Sequence, residues 1–295
     1  MIWLGSNRGY LTDWITQKWV QICGRKIDLA DSPWLEGPIG STKGIGKDYF
    51  HQLAEAEDLQ LRTMGKPRGL LRDISTLEGP QSNTHAIQPG VADFYERTSD
   101  YTLDAWGEWS GKFKPFGRLL AVLFSRRLQQ LNVPLSALDT SHGISSDVLH
   151  LVDPASGEVR YTAWVRELLS TNNVLYAGSY STCTVPGFAG PCIKVVFPLP
   201  NGNAMVIMRP EVHEDGSLTV SSSGKKFGDP GFYFTVHGRG GKVHARYLRT
   251  FRESIHVYED GGEVRADHVL KLWGMKFLRL HYRMRLRTKA DGMSA

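Results

Sequence analysis

Three cysteines, Cys23, Cys183 and Cys192, in a chain of 295 residues are too few and too scattered for a disulfide framework or a cysteine-built zinc centre. They fit a reducing compartment. Long hydrophobic runs are also lacking: the longest plainly apolar stretch is 119–124, against the roughly 20 residues that a membrane-spanning helix needs. The N-terminal segment carries Asp13 and has neither a basic start nor a continuous apolar stretch, so no secretory signal is expected in it. The expectation is a soluble, cytoplasmic chain, with a position at the periphery of a membrane as the alternative.

Catalytic motifs are lacking as well. The glycine cluster 37–48, GPIGSTKGIGKD, has five residues between Gly40 and the pair Gly46-Lys47, and Asp48 follows where Ser or Thr should hold magnesium. A phosphate loop needs a spacing of about four. No G-x-S-x-G nucleophile elbow occurs. Residues 138–143 gather Asp139, Thr140, Ser141 and His142, but neighbours in sequence seldom converge on one substrate, so the segment reads as a turn with side-chain caps. Glu211 and His213 share a strand face without a third ligand, so neither a metal nor a cofactor is expected.

What is present is ordinary globular composition, 41% hydrophobic and 22% charged, without repeats or low-complexity tracts. The net charge of +5 is uneven: residues 1–150 hold 16 basic and 17 acidic groups, the remainder 19 and 13, giving −1 and +6. Lys271, Lys276, Arg279, Arg283, Arg285, Arg287 and Lys289 meet no acid between Asp267 and Asp291. Such a segment reads first as a solvated strand edge. An anionic membrane surface is the alternative partner, whereas nucleic acid is disfavoured because no recognition motif accompanies the charge. The oligomeric state is not indicated.

Residues 1–134 read as a mostly helical region. Trp3, Trp14, Trp19 and Trp34 suggest an arm packed on a body, and helices are expected at 44–61, 89–101 and 116–131. After Pro134 helical spacing gives way to alternation, with turn signals such as Asn201-Gly202, Asp215-Gly216 and Asp260-Gly261-Gly262. Closely spaced turns imply antiparallel neighbours, so 135–290 reads as a meander of about nine or ten strands. The fold class is α+β, with helices covering a large antiparallel β domain. A calycin-like barrel or half-barrel is preferred to a sandwich, because a wide open sheet leaves its edges unprotected.

The final segment is the most informative. Even positions from 264 to 286 are mainly apolar and odd positions carry most of the charge, giving one inward and one outward face. Gly274 marks a bend or a tight break. On the inward parity, His268 and Lys276, and Arg249 and Glu253 on the preceding strand, are ionisable exceptions. They imply an internal ion-pair network or a hydrated cavity. Arg127 falls on the apolar side of its helix, as a snorkelling side chain or an anion receptor.

These residues point to a protein that encloses a mostly apolar, lipid-like molecule with an anionic head group, held by Arg127, Arg249, Lys276 and Tyr282. One alternative is a cofactor-independent isomerase, cyclase or hydratase with His268 or Glu253 as acid or base. Another is a peripheral membrane or scaffold protein.

Overall fold

The computed structural model describes residues 11–40, 48–63, 68–110, 144–169 and 174–287. The expected helix at 116–131, with Arg127, and the loop at 138–143 lie outside these residues. The N-terminal part supplies α1 (Leu11–Cys23), β1 (Arg25–Ile27), α2 (Tyr49–Ala56), β2 (Gln60–Arg62), α3 (Pro89–Glu96) and β3 (Tyr101–Trp109). The rest is β4 (Ile144–Val152), β5 (Val159–Leu168), β6 (Val174–Val185), β7 (Phe188–Leu199), β8 (Gly202–Val212), β9 (Leu218–Ser221), β10 (Phe232–His237), β11 (Val243–Leu248), β12 (Phe251–Asp260), β13 (Glu263–Leu272) and β14 (Met275–Leu286).

The helices are shorter than their periodicity suggests, for local reasons. In α2, Asp58 turns left-handed at φ 53°, and the Leu59 N–H donates back to Ala54 O at 2.8 Å, closing the last turn as a left-handed cap does. α3 starts on Pro89, whose fixed φ suits a first helical position, and gives way at Tyr101 to a strand. The region expected to be helical therefore also contributes β3, which pairs with β14 along Tyr101–Leu286 to Trp109–Leu278.

All 14 strands belong to one antiparallel sheet, with the path β2-β4-β5-β6-β7-β8-β9-β12-β13-β14-β3 and with β1, β10 and β11 branching from it. The sheet is rolled but not closed: among the described residues, no ladder joins its ends. A large antiparallel meander is thus present, and barrel closure is not. Tyr101 and Leu103 of β3, Trp164 of β5, Val206 of β8, Val257 of β12 and Met284 of β14 all enter one buried cluster, so the inner faces of distant strands meet across the roll.

At the seam, β4 has carbonyls that its neighbours leave unused. Arg287 Nη2 donates to Ser146 O at 2.7 Å and Arg68 Nε to Val148 O at 2.7 Å. Charged side chains there cover backbone that would otherwise be an open edge. The outer face is covered in part by the N-terminal elements. Tyr49, Phe50 and Ala54 of α2 pack on Leu149, Leu151, Ala163 and Val165. Further along, Trp34 and Leu35 pack on Val196, Met205, Ile207 and Tyr233, whereas Trp19 of α1 meets Phe234, on the inner face, edge-on at 6.0 Å.

The last segment divides at Gly274, the tight break rather than the bend. Trp273 (φ 49°) and Gly274 (φ 80°) form a two-residue hairpin turn, and positive φ at both positions is the geometry that matches strand twist. A Cβ on Gly274 would meet nothing within 4 Å, so its side-chain position faces open space and not the interior. The constraint is backbone conformation, which costs a β-branched residue about 1–2 kcal/mol. Gly274→Val should therefore lower the melting temperature while Gly274→Asn, which tolerates this conformation, should come close to wild type. Equal losses in calorimetry would show that space, not φ, sets the requirement.

Candidate functional site

The inner face of the rolled sheet lines a partly open cavity of about 490 Å³. Its wall is chiefly aliphatic and aromatic, with Val195, Val206, Ile255 and Leu280 from four strands; Val20 of α1 and Phe94 of α3 add helical cover. Small-molecule sites are commonly of this size and make-up, with few polar groups set in an apolar wall.

Asp13, Thr16 and Gln17 of α1 and Thr235 of β10 are among the cavity's polar lining, and a second polar group lies where β5 and β6 face β12, β13 and β14. Glu253 and His268 form one pair, His268 Nε2 to Glu253 Oε2 at 3.3 Å, with side chains 11% and 14% exposed. The His268 ring stacks on Tyr282 at a centroid distance of 6.3 Å. Opposite them lies Arg166, 6% exposed, whose guanidinium sits over three rings: Tyr176 at 4.2 Å, Trp164 at 4.3 Å and Tyr282 at 5.7 Å. Tyr176 donates to the Tyr180 hydroxyl at 2.9 Å.

Arg166 has no carboxylate in ion-pair contact among the described residues, and its Nε has no hydrogen-bond partner. An arginine does not neutralise by losing its proton, so burial leaves a full charge in place. Desolvating it costs several kcal/mol. Each cation–π contact returns about 0.5–2 kcal/mol, so three rings offset much of the cost, while an unsatisfied Nε still costs about 1–3 kcal/mol.

Sequence parity places Glu253, His268 and Tyr282 on the inward face, and all three line the cavity. Arg249 and Lys276 do not. β11 ends at Leu248, so Arg249 falls in an exposed turn where strand alternation no longer applies. Between β13 and β14 the register shifts at Leu270/Lys271: Leu270 faces Leu278 while Lys271 faces Lys276. Phe277 is thereby the extra residue of a bulge, and Lys276 joins Lys271 on the other face. Glu211 and His213 part company as well: Glu211 lies 3.6 Å from Arg209, while His213 Nε2 is 2.7 Å from Thr219 Oγ1.

Arg166, Tyr176 and Tyr180 escaped the sequence reading. The outward residues of β5, Ala163 and Val165, are buried under α2, so apolar side chains fall on both faces around Trp164 and the alternation is masked. The signal available was Trp164, Arg166 and Leu168 on one parity.

No family model and no solved structure matches the chain. It is similar, at 26% identity over 255 residues, to the uncharacterized membrane protein YndJ of Bacillus subtilis (strain 168), in an alignment covering 86% of this chain and 43% of that protein. The chain thus spans less than half the length of this curated relative. Among the described residues no helix is long and apolar enough to cross a membrane.

Burial raises the Tyr176 and Tyr282 hydroxyls above the ordinary tyrosine value of 10.0 and pushes Tyr180 up to about 12, with the Arg166 charge opposing it in each case. A raised folded-state pKa favours the neutral phenol in the folded protein. The stability it contributes is complete below pH 10 and is lost as pH rises from there toward the folded values. In an alkaline titration followed by ultraviolet difference absorbance, these phenols should ionise only as the fold is lost, and Tyr180→Phe should move the alkaline midpoint upward. Smooth ionisation of every tyrosine near pH 10, with the circular dichroism unchanged, would contradict their burial.

Proposed function

We propose that this chain binds a mostly apolar, lipid-like small molecule inside its rolled sheet. The observation that carries the reading is the partly open, largely apolar cavity of about 490 Å³, whose polar groups are few beside its aliphatic and aromatic lining. Apolar surface of this kind gains free energy by exchanging water for a ligand, roughly 25 cal/mol per Å² buried. Cover from Val20 and Phe94 adds to the enclosure.

Binding is favoured over an isomerase, cyclase or hydratase by the placement of the ionisable groups. Of the four that would make a catalytic set, His268 and Glu253 share the cavity, whereas Arg249 and Lys276 are exposed. The relative is named a membrane protein, which fits a ligand drawn from a bilayer. Attachment of this chain at a membrane surface, through its basic C-terminal strands, is compatible with the same ligand.

The test is uptake of Nile red, a neutral dye whose emission rises in apolar surroundings. Wild type should give saturable enhancement. Ala204→Phe and Ala266→Phe, which place rings in the cavity from two different strands, should reduce it at least severalfold while the melting temperature stays near wild type. Arg279→Phe, on the exposed face, should have no such effect. Uptake by the filled variants equal to wild type, or no enhancement with wild type, would exclude the interior as a binding site.

A further inference from the structure

Resting on that reading, we propose that Arg166 is the receptor for a carboxylate, so that the molecule held in the cavity is a monoanionic amphiphile of the long-chain carboxylic acid class, its tail lying against the apolar wall.

Four observations support the assignment. Arg166 is 6% exposed and lines the cavity. Its guanidinium is held by the rings of Trp164, Tyr176 and Tyr282 and by a hydrogen bond to the Tyr282 hydroxyl, but its Nε has no acceptor. Of the two carboxylates that line the cavity, Glu253 is engaged with His268 at 3.3 Å and Asp13 lies on α1. Finally, the Tyr180 hydroxyl accepts from Tyr176 at 2.9 Å, which leaves its own proton available to a ligand oxygen. A planar fork of donors beside a protonated phenol matches the two oxygens of a carboxylate.

The number of charges selects the head group. Among the described residues Arg166 is the one arginine or lysine that lines the space, and two carboxylates, Glu253 and Asp13, line it too. A monoanion neutralises Arg166, whereas a phosphate, at −1.5 to −2, would bring surplus charge toward Glu253 in a poorly screened interior. The bulge in the β5–β6 ladder between Arg166 and Glu167 is a local irregularity of the kind that re-aims a side chain beside a site.

The experiment compares dansyl-labelled undecanoic acid with its methyl ester, using the full chain. Wild type should bind the acid about tenfold to a hundredfold more tightly, the range of a charge-assisted hydrogen bond. The preference should survive raised salt, because a buried pair is little screened. Arg166→Gln should bind the ester as wild type does and the acid no better. Should that variant fail to fold, Arg166→Lys, which keeps the charge without the fork, should show an intermediate preference. Dodecanoate should displace the probe more effectively than dodecyl phosphate.

Equal binding of acid and ester by wild type would overturn the carboxylate assignment and leave the apolar cavity intact as a binding site. A preference abolished by salt, or unchanged in both Arg166 variants, would place the head group on surface lysines and arginines and equally overturn it. Stronger displacement by the phosphate would overturn the choice of head group, and binding of neither probe would remove the cavity reading together with this one.

Discussion

The roll of the sheet depends on one constraint: along its main path, alternate side chains present a continuous apolar face that water disfavours. A flat sheet of this width would leave that face to solvent or to another protein. Curling brings Tyr101 and Leu103 on one side and Trp164 and Val206 on the other into a single cluster, so distant strands bury one another. Closure by backbone pairing does not follow. The ends of the path are β2 and β3, and arginine side chains take the carbonyls of β4 at the seam.

The same curling accounts for the cavity and for its polar inset. Side chains on the inner face of a wide roll do not all reach the axis, and the space that remains is lined by whatever alternation places there. Most positions are aliphatic. Where β5 and β6 face β12, β13 and β14, Arg166, Glu253 and His268 interrupt the pattern together with three tyrosines. These strands are far apart in the ladder, yet the Arg166 guanidinium on β5 lies 5.7 Å from the Tyr282 ring on β14. The roll, not local sequence, makes the site.

How much of this was legible in the sequence varied with how many faces of a strand are buried. In β13 and β14 one face is solvated, with Asp267 near His281 and Asp104 near Arg283. There alternation could be read directly, and it placed His268 and Tyr282 on the inner wall, as it did Glu253 on β12. Parity failed at Lys276, where one bulged residue reverses it, and at Arg249, where the strand had ended. It was silent at Arg166, because α2 buries the opposite face of β5. The meander was legible from its turn residues, whereas β3, expected within a helical region, is a strand because β14 offers it an edge to pair with.

The central claim, that the interior of the roll holds a small molecule, is tested most directly by what the protein carries when it is isolated. Purified chain should be denatured and its soluble extract compared by mass spectrometry with that of Ala204→Phe prepared in parallel. The account predicts an amphiphilic, largely hydrocarbon molecule in near-stoichiometric amount from wild type and far less from the filled variant. No enriched molecule in wild type, or equal amounts from both proteins, would contradict it.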